Sequence, residues 1–168
     1  AGTAHVIKGN VTVAEGIFRT ETDAHTLTIE GDVSVESGGT LGHADKTGAD
    51  SFGSLTIASG GTAIATSGTT TITGKHSGSG TSFHNNGGTF THNNGKVKVT
   101  YAAASTQLTS AAFYDLEIAG SNSYTYKLYH GTAIDIYNNL IITTGLVELY
   151  TDDYLIDINR LTTIASGA

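Results

Sequence analysis

Apolar and other residues alternate in short bursts along this chain, and the bursts recur. Thr26-Leu27-Thr28-Ile29, Ser54-Leu55-Thr56-Ile57, Asp115-Leu116-Glu117-Ile118, Asn139-Leu140-Ile141-Ile142 and Leu161-Thr162-Thr163-Ile164 are variants of one phrase. In the first four, two apolar residues flank one intervening residue, in the last they flank two, and Gly, Ser or Asn follows closely in most copies. Alternation with period two predicts strands that bury one face. Recurrence at roughly 20 to 35 residues predicts a solenoid. From Leu27 the phrase steps 28 residues to Leu55, 28 to Phe83, 33 to Leu116, 24 to Leu140 and 21 to Leu161.

Most of these repeats hold two further alternating phrases, such as Val33-Ser34-Val35 after Ile29 and Ala63-Ile64-Ala65 after Ile57. Three strands per rung, joined at short corners, describe an all-β, single-stranded parallel β-helix with three sheets. Stacking on a neighbour hides the apolar side that one rung cannot hide alone. The expected architecture is one domain over residues 1–168, with about six rungs at roughly 4.8 Å each. Leu27, Leu55, Phe83, Leu116, Leu140 and Leu161 are expected to form the core stack. Right-handed coiling is expected because crossovers between parallel strands overwhelmingly take that hand. The stretch 100–112, with Ala102-Ala103-Ala104, lengthens its repeat and is expected to leave the column as a loop. A β-sandwich also shows short strands at regular spacing, but needs no similarity at whole-rung distance.

Composition sharpens this picture. The 168 residues include 22 Gly and 28 Thr, with no Pro, Cys, Met or Trp. Thr favours pleated surfaces and Gly favours corners, so strands and turns dominate. Without cysteine, disulfides and thiolate metal sites are excluded. A net charge of −7, with scattered basic residues, argues against a nucleic-acid partner. No apolar stretch approaches the length of a membrane-spanning helix. The chain opens at Ala1, not Met, which fits processing or the ordered part of something longer.

Candidate chemistry is sparse. Asp152, Asp153 and Asp157, with Asp135 and Glu148 a rung or corner away, form the best carboxylate group. Stacked Asp135 and Asp157 would resemble the paired acids of sugar-cleaving enzymes; a solvated strand edge is the simpler expectation. His84-Asn85-Asn86-Gly87 and His92-Asn93-Asn94-Gly95 duplicate one motif. Its imidazoles, with His76 or His130, would make a metal site only if a third ligand converged. The structural reading takes Asn85, Asn86, Gly87, Asn93, Asn94 and Gly95 as corners with positive φ and stacked Asn side chains. Outward Thr arrays suggest an ice-binding lattice, but Lys98, Glu117, Asp135 and Glu148 interrupt it. No metal or cofactor is expected. All eight Tyr lie between Tyr101 and Tyr154. Tyr124, Tyr126, Tyr129, Tyr137, Tyr150 and Tyr154 are candidates for subunit or glycan contact, because Tyr joins apolar area to a polar tip. The alternative is that they shield the end of the coil in the Tyr-rich rungs 113–164.

The run Gly88-Thr89-Phe90-Thr91-His92-Asn93-Asn94-Gly95-Lys96-Val97-Lys98-Val99, with Phe113-Tyr114-Asp115-Leu116-Glu117-Ile118 after it, is similar to strand phrases in repetitive β-solenoid structural proteins of tailed bacteriophages. It also resembles β-helical bacterial surface and adhesin proteins. The resemblance implies a solenoid, a structural role and no catalytic residues. The expected protein is a non-enzymatic virion component, a capsid decoration, fibre or tail-associated β-helix. Its expected partners are copies of itself, with a trimer as one arrangement, and other virion proteins, with a host glycan as a further candidate. A secreted or cell-surface adhesin filament is the alternative, and a carbohydrate-binding or carbohydrate-cleaving β-helix the second alternative.

Overall fold

The structure, a computed structural model, describes residues 2–20, 23–101, 106–109, 111–120, 125–129, 134–144, 146–150, 156–158 and 160–164. Among them are eighteen strands and no helix. Every strand-to-strand pairing is parallel. The chain is therefore a β-solenoid of six to seven turns, and a sandwich of antiparallel layers is excluded.

Each turn visits three faces in order. The first stacks Ala4–Ile7, 26–29, 50–52, Thr69–Ile72, Lys96–Val99, 115–118, 139–142 and Leu161–Ile164. The second stacks Val11–Val13, 32–35, 54–58, Thr81–Asn86, Thr106–Thr109, Thr125–Tyr129 and Leu146–Tyr150. The third begins with Gly16–Phe18, Gly39–Leu41, Thr62–Ile64 and Thr89–Thr91. It continues in 112–113, 134–136 and Ile156–Ile158.

Alternation along each strand builds the core. On the first face Ile7, Ile29, Phe52, Ile72, Val99, Ile118, Ile142 and Ile164 lie in register, one per turn. All from Ile29 to Ile142 are buried, and Ile164 at the last strand is 64% exposed. On the second face the column is Val11, Val33, Leu55, Phe83, Leu108, Leu128 and Leu149. Phe83 also meets Phe90 and Phe113 of the third face, at ring-centroid distances of 4.9 and 5.2 Å. Such contacts close the interior where the three faces converge.

Register corrects two expectations. Leu27, Leu55, Phe83, Leu116 and Leu140 are all buried, yet they do not form one stack. Leu27, Leu116 and Leu140 belong to the first face, and Leu55 and Phe83 to the second. Leu161 pairs with Asn139, one place away from Leu140, whose partner is Thr162. The physical reason is that inward, outward, inward alternation is the same on every face, so the phrase does not encode which face carries it. In-register steps such as Val11 to Val33 and Val33 to Leu55 are 22 residues, shorter than the 28 between phrases. The second correction concerns 100–112, which does not simply leave the column. Thr106–Thr109 pairs on both sides in the second face, and Leu108 is fully buried.

The corner between the first two faces needs almost no turn. Thr26–Val35 and Asp50–Ala58 run across it, with a register shift between Ile29 and Asp32. Gly31 and Gly53 lie there one above another, and a Cβ on either would overlap backbone of the coil below. Next to them runs a polar ladder. Asp32 N donates to Asn10 Oδ1 at 2.8 Å, Ser54 Oγ donates to Asp32 Oδ1 at 2.8 Å, and Ser77 donates to Asp32 Oδ2 through both N and Oγ. Burial would raise the Asp32 carboxyl, but these donors, with His76 nearby, hold it below its ordinary value.

Candidate functional site

The third-to-first corner brings together residues the sequence keeps far apart. Phe113 pairs with Ile136 and Asp115 with Asn139, so two residues, Tyr137 and Asn138, face the single residue Tyr114. This is a β-bulge, and bulges redirect side chains. Tyr137 projects outward, 47% exposed. Its ring lies 5.3 Å from that of His92, centroid to centroid, at 60°. Tyr114 lies 5.6 Å from His92 on another side, at 34°. Three aromatic rings thus cluster on the outside of the coil. Burial holds the His92 imidazole below its ordinary pKa, which keeps it neutral near pH 7.

A carboxylate anchors the bulge. Asp115 Oδ1 accepts from Asn138 Nδ2 at 2.8 Å, from Asn139 Nδ2 at 2.8 Å and from Asn139 N at 3.0 Å. Two residues along the same strand, Glu117 receives Lys96 and Lys98 of the adjoining strand at 2.6 and 2.8 Å. Burial opposes ionisation of Glu117, but the two ammonium groups outweigh it and hold the carboxyl below its usual range.

The second Asn-Gly motif builds this corner one coil earlier, and the first lies at the corner between the second and third faces. Asn93 and Asn94 adopt φ of 49° and 55°, the left-handed region that Asn tolerates. Asn94 N donates to His92 Nδ1 at 2.9 Å, and Asn93 Nδ2 donates to Ala44 O at 2.6 Å. Gly95 is there for a different reason, because a Cβ would overlap the Thr66 carbonyl oxygen one coil below. In the first motif Gly87 takes the positive φ, 77°, while Asn85 Oδ1 accepts from Gly88 N. Asn86 is exposed at the end of its strand. The expected Asn–Asn ladder between the two motifs does not form. Asn85 caps its own turn and Asn93 reaches the Ala44 carbonyl, while the inter-coil ladder is made by Asn10, Asp32 and Ser54, and by Asp115, Asn138 and Asn139.

Of the tyrosines singled out above, Tyr126 and Tyr137 are the two whose exposure is described, and Tyr137 is the exposed ring. Tyr126 is fully buried, a correction to its expected contact role. Its hydroxyl donates to Tyr101 O at 2.8 Å and fills the space that a side chain on Gly120 would take. Tyr129 and Tyr150 pair with each other across adjacent coils. Tyr124 and Tyr154 lie outside the described residues, as do Asp152, Asp153 and His130. Asp135 and Asp157 do occupy equivalent positions on neighbouring coils, and Glu148 pairs with Lys127 on the second face. His84 sits on the second face opposite Thr56, and burial lowers its pKa first, with His76 adding to the effect. Among the described residues, no three His, Cys, Asp or Glu side chains group as a metal site. Among them too, no helix is long and apolar enough to cross a membrane.

Sequence reasoning missed Tyr114 and did not connect His92 with Tyr137. The signal was present in Phe113-Tyr114-Asp115 and Ile136-Tyr137-Asn138-Asn139, where the second phrase carries one residue more than the first. No protein-family model, curated protein or solved structure matches the chain.

Proposed function

We propose that the chain is a non-enzymatic structural protein, a solenoid segment that self-associates within an extracellular assembly, with a tailed-bacteriophage particle as its setting. The observation that carries this reading is the pair of open ends on a column whose described interior strands, apart from Thr89–Thr91, have partners on both sides. Among the described residues, Ala4–Ile7, Val11–Val13 and Gly16–Phe18 each have one paired edge, as does Leu161–Ile164. Apolar side chains accompany both ends, with Val6 55%, Ile17 68% and Ile164 64% exposed. A hollow lined by Val6, Ile7, Phe18 and Leu27 opens at the first coil. Unpaired edges beside exposed aliphatics are templates for further strands. Because the two ends differ, the contact is head to tail, a heterologous interface that extends a rod. The virion setting is supported by the likeness of 88–99 and 113–118 to phage β-solenoid phrases.

Sedimentation velocity tests self-association. The wild-type chain is expected to form concentration-dependent oligomers, and Val6→Lys with Ile17→Lys to shift them to monomer. A wild-type chain that stays monomeric at about 100 μM, a concentration at which even weak contacts of this kind are populated, overturns the reading. Fixed copy number in purified virions separates the phage setting from a secreted bacterial adhesin or filament.

The register of Asp135 with Asp157 favours one rival, a carbohydrate-cleaving coil with stacked acids. Release of reducing sugar from glycan by the wild-type chain, abolished in Asp157→Asn, would establish that rival in place of the structural role.

A further inference from the structure

The His92, Tyr114 and Tyr137 cluster is not explained by the needs of the fold. Its rings lie outside the core columns, and Tyr137 leaves nearly half its surface in water, on a bulge that the neighbouring carboxylate holds in place. Burying such a ring would gain apolar area, so leaving it at a braced corner suits a partner with a flat apolar face. We propose that this corner binds a saccharide, one pyranose ring stacking on Tyr137 while its hydroxyl groups hydrogen-bond to Asp115, Asn138 and Asn139.

Three observations select that chemistry. First, the backbone that carries the acceptors is already paired. Residues 115–118 have partners on both sides, in Lys96–Val99 and Ile134–Thr144, so no free edge at Asp115 invites an added peptide strand. Second, acceptors lie beside the rings. Asp115 spends only Oδ1 on the bulge, and among the described residues its Oδ2 and the Oδ1 atoms of Asn138 and Asn139 accept no protein hydrogen bond. A pyranose offers one face of C–H groups for an aromatic ring and a rim of hydroxyl donors for these acceptors. Few, fixed polar groups beside an apolar platform are the ordinary composition of a small-molecule site. Third, the charges are unfavourable for polyanions: the nearby ammonium groups of Lys96 and Lys98 are engaged by Glu117, the Asp115 carboxylate sits at the site, and the chain carries −7 overall. Nucleic acid and sulfated polymers are disfavoured, and neutral sugars are not.

The site goes beyond the scaffold role and does not depend on it, since every residue it uses lies within three coils of one chain. A monomer would bind as an assembled rod does. Affinity electrophoresis of the full chain in gels containing dextran, mannan, galactan or a polymer of N-acetylglucosamine tests it. At least one polymer is expected to retard the wild-type chain. Tyr137→Ala and Tyr137→Leu are expected to weaken that binding about threefold to tenfold, the worth of one ring contact. Tyr137→Phe is expected to retain most of it, and Val6→Ala all of it. Tyr137→Leu keeps apolar bulk without a ring, and circular dichroism checks that each variant keeps its strands. Absence of retardation by all four polymers, or equal retardation of wild type and folded Tyr137→Leu, overturns the proposal. Neither result bears on sedimentation, so the two proposals fail separately.

Discussion

At the scale of single residues, Asp50 sets the sharpest constraint. It stands in the first-face column between Leu27 and Thr70, at 5% exposure. Its counter-ion is Lys46, almost wholly buried, with Nζ 3.3 Å from Asp50 Oδ1 and donating to His25 O and Thr20 Oγ1. The Nζ–Oδ1 approach is an ion pair that falls short of a well-angled hydrogen bond, which leaves Oδ1 poorly satisfied. Burial therefore outweighs the attraction and raises the carboxyl to about 6. Between the ordinary value of 3.8 and about 6, the folded chain holds a proton that the unfolded chain has lost. Asp50's contribution is thus fully present below that window and lost as pH rises through it, by about 3 kcal/mol in all. Asp32 and Glu117, both lowered, act in the opposite direction and only at lower pH. A carbon-13 titration of the Asp50 carboxyl is expected to show a midpoint near 6, and a midpoint at or below 4 would contradict this placement. The same residue explains a failure of legibility. The rung at 50–52 carries Asp50-Ser51-Phe52 where the preceding coil carries Leu27-Thr28-Ile29, so it was invisible to a search for apolar alternation.

At the scale of elements, corners decide where strands stop, and each corner residue has its own reason. Gly95 is fixed by close approach to Thr66 O, while Asn94 is fixed by its left-handed φ. Gly95→Ala is expected to cost about 2 kcal/mol or more, since backbone of the next coil would have to move. Asn94→Gly is expected to stay within about 1 kcal/mol of wild type, because Gly takes the same conformation freely. Chemical denaturation of the two variants checks this, and equal losses would contradict this division of roles between the two positions. The motif His-Asn-Asn-Gly announced a corner plainly. It did not announce which residue would take positive φ, because that depends on the coil beneath and not on local sequence. The buried Tyr126 illustrates the same limit, since its burial depends on Gly120 of its own coil and on Tyr101 of the coil before. Strand existence, three faces and parallel stacking were legible because alternation and repetition are local. Partner choice between coils was not, because any two inward-facing phrases fit equally well until loop lengths are fixed.

For the whole molecule, every functional statement rests on which residues become neighbours across coils. The bulge at Tyr137, the stacked Asp135 and Asp157, and the open ends all follow from one register. A different register would scatter the aromatic corner and place other strands at the ends. The chain has no cysteine, so introduced pairs report neighbours without interference. Ser34 and Thr56 face outward in register on adjacent coils of the second face. Thr28 and Thr56, which matching Leu-Thr-Ile phrases would align, belong to different faces, and Thr28 is the partner of Ser51. Neighbouring Cα positions in a parallel ladder lie roughly 4.8 Å apart, within reach of a disulfide. Mild oxidation of Ser34→Cys with Thr56→Cys, followed by mass spectrometry, is the most direct measurement of this arrangement. The expected result is an intramolecular disulfide in that pair and free thiols in Thr28→Cys with Thr56→Cys; a bond in the second pair and none in the first would contradict the stacking described here.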